Sequence, residues 1–203
     1  MESPKQPDIT RAQILKAAFA EIHRHGFQAA SINNILADTG LTKGALYHHF
    51  PTKQALGLAV VDEVIKERFK VLFCEPLASS ARPVEVLLEV VASLEHKLSP
   101  QFIELGCPLN NLIQEMSPLD EMFKQHLTDV LDMWKSSIEN ALREGLRQGD
   151  IRPEVDCTAA TLFIIAALAG CRGVAKNLRS SEVFHACMQQ LHGYIAGLRI
   201  PGK

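Results

Sequence analysis

Two helix starts, a glycine turn and a proline stop crowd into the segment Ser31–Pro51, and they leave the chain little freedom there. Ser31 is a good N-cap for a short helix carrying Ile32, Ile35 and Leu36 on one side and ending near Thr39. Gly40 makes the turn, and Thr42 caps a second short helix, Lys43–Phe50, which Pro51 stops. Leu41 and Leu46 have the spacing of a hydrophobic staple, and Leu46 and Phe50, four apart, face inward together. Two short amphipathic helices joined by a tight turn form a helix-turn-helix. The second is about eight residues, so about 12 Å long, and fits the major groove of DNA.

The face opposite Leu46 and Phe50 carries Lys43, Gly44, Tyr47 and His48. Lys43 reaches a base edge or a phosphate, Gly44 lets the backbone approach closely, and Tyr47 and His48 offer phosphate hydrogen bonds. Lys53 sits in the first turn of the following helix, where free N–H groups also favour a phosphate. The Ser31 and Thr42 hydroxyls, at their caps, are further candidate backbone contacts.

The rest of the chain reads as helices, with no sustained apolar/polar alternation. A first helix is expected over Thr10–His25, opened by a capping box of Thr10 and Gln13 and closed by Gly26 in a left-handed conformation, with Phe27 folding back onto the core. Residues 1–9 are expected to fray. Thr52 caps a long helix to about Leu72. Pro83–Leu98 is amphipathic, Ser99–Ser117 is broken by Gly and Pro, and a long helix is expected from Pro118, as its N1 residue, to Gln148. Pro153–Lys176 and Ser181–Leu198 complete the set. The fold class is therefore all-α: an N-terminal three-helix DNA-binding domain, residues 1–55, and a C-terminal helical domain, residues 56–203.

Charge follows this division. The whole chain has a net charge of −2, but residues 1–55 carry +2 and the remainder −4, in keeping with a small DNA-facing module on an acidic body. The five cysteines include no Cys-x-x-Cys pair, which argues against a disulfide scaffold or zinc site and for reduced thiols in a cytoplasm. No stretch resembles a signal peptide, and the apolar run Cys157–Cys171 is shorter than the roughly 18–20 residues a membrane span needs. No membrane association is expected. No phosphate loop, Gly-x-Ser-x-Gly or His-Glu-x-x-His is present, and Glu182-x-x-His185 occurs once where a di-iron bundle needs that motif twice. Neither a catalytic site, a metal nor a cofactor is expected.

Residues 11–57, with their R-x-x-I-L-x-A-A opening, the Gly26–Phe27 pair and the block TGLTKGALYHHFPTKQAL, resemble the N-terminal domain of the TetR/AcrR family of repressors. The resemblance implies DNA contacts from Lys43, Tyr47, His48 and Lys53. Asn33 stands where the family often has a basic or polar contact residue, which implies a weaker phosphate contact there, and Leu36 where a small Ala is common. It further implies a homodimer on double-stranded operator DNA, released by a small-molecule effector held in the C-terminal part. Gly106–Glu115 (GCPLNNLIQE) resembles a stretch found in the subset that includes the repressor of N-ethylmaleimide reductase.

Candidate effector residues are Phe102, Cys107, Asn111, Phe123, His126, Trp134 and Phe163. Cys107, in a Gly/Pro setting beside a helix start, is either a thiol that senses electrophiles or oxidants or a small buried hydrophobe. Trp134 and His126 lie on the stripe Leu119, Phe123, His126, Val130, Trp134, Ile138, as pocket lining or as core. The Cys157–Cys171 helix is apolar nearly all round and requires burial on two sides. With the last helix it is expected to build a dimer bundle, through residues 154–176 and 181–198.

Overall fold

The computed structural model describes residues 6–78 and 80–201. All of the regular structure among them is helical, apart from a single bridge between Ile151 and Arg199. The helices are α1 (Gln6–His25), α2 (Ile32–Thr39), α3 (Lys43–His49), α4 (Lys53–Ala59), α5 (Lys66–Phe69), α6 (Glu75–Ala78), α7 (Pro83–Lys97), α8 (Pro100–Glu104), α9 (Pro108–Met116), α10 (Glu121–Arg147), α11 (Cys157–Leu178) and α12 (Ser181–Gly197). π-Helical turns at Val60–Ile65 and Lys70–Cys74 join α4 to α5 and α5 to α6.

Several boundaries differ from the sequence reading, each for a local reason. α1 starts at Gln6, not after Thr10, because Pro7 is tolerated in a first helical turn; Thr10 and Gln13 therefore form no capping box. Residues 6–9 are helical, and the expectation of fraying for residues 1–5 lies outside the described residues. Helical structure from Lys53 runs on to Ala78, and the two π turns within it mark wide local winding in place of a plain α-helix. The stretch 99–117 holds two helices: Ser99 caps α8, and Gly106 at φ 77° turns the chain into α9. Pro118 stays in a turn, and Asp120 opens α10 by accepting from the N–H groups of Met122 (2.9 Å) and Phe123 (3.1 Å). Asp156, not Pro153, opens α11 by accepting from the N–H groups of Thr158 and Ala159.

The chain divides into two compact units. The first takes residues up to Glu67 together with Asn111–Val130. Its core is built from Ile14, Ala18 and Ile22 of α1, Ile35 of α2, Leu46 of α3, Phe50, and Leu56, Val60 and Val61. Gly26 takes φ 81°, as expected at a helix end, and Phe27 folds back so that its ring lies 4.5 Å from that of Phe123. Gly57 makes this possible: a Cβ there would stand 2.4 Å from the Phe27 ring and 2.7 Å from that of Phe123.

The second unit takes Arg68–Asn110 and the chain from Leu131 on. α11 packs on α12, and α12 on α7. Leu87 and Val91 of α7, Ile138 and Leu142 of α10, Ile164 and Leu168 of α11, and Phe184, Met188, Leu191 and Ile195 of α12 are buried. α11 is long and apolar enough to cross a membrane, yet its Cys157, Ala160, Thr161, Ile164, Ile165, Leu168 and Ala175 are packed inside this unit. The opposite side is bare: Leu162 and Phe163 are each 52% exposed, Val174 49% and Leu178 57%. The two-sided burial that its composition demands is met on one side by this chain alone.

Candidate nucleic-acid interface

Three consecutive caps shape the segment from Ser31 to Thr52. The Ser31 hydroxyl accepts from Asn34 N–H, Thr42 Oγ1 from Ala45 N–H (3.2 Å) and Thr52 Oγ1 from Ala55 N–H (2.9 Å). Each satisfies a helix-start donor that would otherwise be open, worth about 1 kcal/mol. Gly40, at φ 68°, ends α2 by donating its N–H to Leu36 O (2.8 Å). A left-handed residue here bends the chain within Gly40–Thr42, so that α3 starts immediately.

α3 sorts its faces cleanly. Leu46 is fully buried and Phe50 nearly so, whereas Lys43, Gly44, Tyr47 and His48 are exposed. Thr42 and Asn33 are exposed and Ser31 half-buried. Among the described residues, a Cβ on Gly44 would meet only Thr42 Oγ1, at 3.9 Å. Packing within the chain does not require glycine at this position.

Lys53 is half-buried and already engaged: its Nζ donates to Gln28 O (2.9 Å) and lies 5.1 Å from the Phe27 ring centroid. A phosphate at Lys53 has to share or displace that bond. Arg11 ties α1 to its surroundings through a bidentate pair with Glu63 and by lying 4.9 Å over the Phe50 ring.

Glu21 is a residue that reading by motif missed. Its carboxylate, 8% exposed, accepts from Ser31 N–H (3.0 Å) and from the Asn34 amide (2.9 Å), and so locks the start of α2 to α1. Burial opposes its ionisation, but those two hydrogen bonds, with His25 and Arg24 nearby, hold its pKa below the usual carboxylate value. A lone Glu among the apolar residues on the inner side of α1 was the available signal. Glu115 was also missed, although it closes the GCPLNNLIQE stretch. Its two oxygens accept from Phe27 N–H and Gln28 N–H, both at 2.8 Å.

The candidate effector residues fall into separate surroundings. In the first unit, Phe123 is sealed against Phe27, His126 pairs with Asp62 (2.8 Å), and Asn111 is half-buried. In the second, Trp134 is buried between Phe69 and Phe73, with ring centroids 4.9 and 5.0 Å away, and its indole N–H has no acceptor among the described residues. Phe163 is exposed beside Tyr194, on a groove of about 370 Å³ between α11 and α12 that also includes Cys171 and Cys187. Phe102 and Cys107 are brought together by Arg172, which went unnoticed in the sequence although it is the only charge in the run Cys157–Ala175.

Comparison with known proteins agrees with this geometry. Residues 14–60 match the family described as bacterial regulatory proteins, tetR family, and residues 83–191 match the tetracyclin repressor-like C-terminal domain. An uncharacterized HTH-type transcriptional regulator from the lacX 3' region of Lactococcus lactis is 34% identical over 132 residues, covering 64% of this chain and 67% of the relative. The HTH-type transcriptional regulator UidR of Escherichia coli K12 is 26% identical over 200 residues, 98% of this chain and 96% of UidR. A crystal structure of a TetR transcriptional regulator from Chloroflexus aurantiacus superposes with a TM-score of 0.82 at 29% identity, covering 96% of this chain and 98% of that one.

Proposed function

The chain is a DNA-binding transcriptional regulator of the TetR family, and on that premise we propose that it is a ligand-responsive repressor that grips a palindromic operator as a homodimer and releases it when a small molecule binds. Regulators of this family are soluble cytoplasmic DNA-binding proteins and not enzymes. The observation that carries the DNA side is α3 itself: a capped helix of seven residues, about 10 Å long, anchored by Leu46 and Phe50 with Lys43, Gly44, Tyr47 and His48 outward. Gly44, which the chain's own packing does not require, supports close approach to a surface that is not part of the chain. Lys43 supplies charge, and Tyr47, His48 and Thr42 supply hydrogen bonds to phosphates. Ser31, Asn33 and Lys53 flank them. DNA binding is assigned to residues 1–55, and effector binding and dimerisation to residues 56–203.

The bare face of α11 and α12 supports the dimer. Leu162, Phe163, Val174, Leu178 and Tyr194 are apolar and exposed, and Gly170, Gly173, Gly193 and Gly197 have open space where a Cβ would stand. Exposed apolar side chains on two helices packed against each other need a cover, and a second copy across a two-fold axis provides one. Two recognition helices on that axis read successive major grooves about 34 Å apart, which makes a palindrome the matching DNA. The ligand releases DNA by favouring a conformer whose two α3 helices no longer fit that spacing; a ligand without such preference shifts nothing. Bound to its operator, the protein is associated with the nucleoid.

The test is selection of bound duplexes from a random pool by the full-length protein, with the mass of the free and bound species measured by light scattering. An inverted repeat bound by an even number of protomers is the expected result. Enrichment of no sequence, or binding by a lone protomer, contradicts the proposal.

A further inference from the structure

Arg172 is a charge in a place that disfavours charge. It interrupts an apolar helix, and burial drives its pKa down. Its Nη2 donates to Gly106 O (2.5 Å) and Phe102 O (3.4 Å), the Cys107 thiol is in hydrogen-bond reach, and the Phe102 ring centroid lies 5.4 Å from the guanidinium carbon. Its Nε is buried with no acceptor among the described residues, and no carboxylate among them acts on it. The other side of the picture is a second cation: the Arg68 guanidinium carbon lies 5.7 Å from the same ring, and burial lowers the Arg68 pKa as well. Carbonyl oxygens carry only partial charge and do not balance a part-buried guanidinium. If its role were packing alone, an apolar side chain of similar volume would do at least as well.

We propose that Arg172 and Phe102 form the anion-recognising corner of the effector site, and that the effector is a carboxylate on an apolar or aromatic body. The proposal rests on the ligand-responsive reading above and gives the ligand its chemical class. A planar carboxylate accepts two parallel N–H groups from a guanidinium, and the unpaired Nε–H is one such donor. Phe102 offers the apolar wall. Binding relieves the desolvated charge of Arg172, which makes occupancy favourable in a way that a neutral analogue cannot reproduce.

The test uses the full-length protein with benzoate, benzamide and inorganic phosphate as probes, read by thermal melting and by calorimetric titration. Benzoate is expected to raise Tm in proportion to the logarithm of its concentration, with benzamide and phosphate giving little or no shift. Arg172→Met is expected to abolish the benzoate shift, and Arg172→Lys to weaken it severalfold because the fork geometry is lost. An absent benzoate shift, an equal shift with benzamide or phosphate, or a benzoate shift that survives in Arg172→Met overturns the proposal. If Arg172→Met does not fold by circular dichroism, Arg172→Lys decides, and an undiminished shift there overturns it. Operator binding is measured separately in the absence of any probe. Wild type that binds DNA but ignores benzoate fails only this inference, whereas wild type that binds no DNA fails the regulator reading.

Discussion

The Glu115 carboxylate and the Phe27 backbone N–H lie 2.8 Å apart, and the second carboxylate oxygen takes the next N–H, that of Gln28, at the same distance. One side chain near the end of α9 thus holds the turn that leads from α1 to α2. Gly26 leaves the room: a Cβ there would stand 2.8 Å from Glu115 Oε2. Glu115→Ala strands the part-buried Phe27 N–H and is expected to cost roughly 1–3 kcal/mol of stability. Glu115→Gln keeps one acceptor and should recover part of that loss. Gly26→Ala adds left-handed strain and is expected to cost about 1–2 kcal/mol. Urea unfolding of the three variants checks the order, and an unchanged midpoint for Glu115→Ala would sink this role for the residue.

Acid should loosen the start of α2 through Glu21. Its pKa is lower in the folded chain than in the unfolded one, so the unfolded state binds its proton first. The stabilisation is complete above the ordinary carboxylate range and is lost as pH falls through the depressed folded value. Melting temperatures measured from neutral pH downward should fall more steeply for wild type than for Glu21→Gln, which starts lower. Parallel curves would mean that Glu21 is not a contributor.

The bare face of α11 gives a third expectation. Leu162→Asp and Phe163→Asp place charge where more than half of each side chain is open in the single chain, so neither should unfold it. At a dimer interface each leaves a desolvated carboxylate and should lower the association constant by at least tenfold. Sedimentation across a concentration series reads this directly. Wild-type association in both variants would move the interface elsewhere.

What the sequence made legible was punctuation. Ser31, Gly40, Thr42 and Thr52 act through their own chemistry within three or four residues, so the expected caps at α2, α3 and α4 are the ones observed. The all-helical class and the left-handed Gly26 were legible for the same reason. Pro118 and Pro153 misled because proline marks where a helix is permitted to start; Asp120 and Asp156, which actually accept from the first N–H groups, decided the matter. Glu115 and Glu21 carry their meaning in partners 88 and 10 residues away, and no local spacing announces such pairs. Arg172 was visible as a lone charge in an apolar helix, but its relation to Phe102 and Cys107 exists only in the folded chain.

The central claim is that α3 enters the major groove and Lys43 faces the DNA. Fluorescence anisotropy of a selected operator duplex, titrated with wild type and Lys43→Ala at several salt concentrations, measures it most directly. Loss of one phosphate contact per protomer should weaken binding and flatten the slope of log K against log salt by roughly 0.9 per protomer. Equal affinity and equal slope for the two proteins would contradict the placement of α3 on DNA.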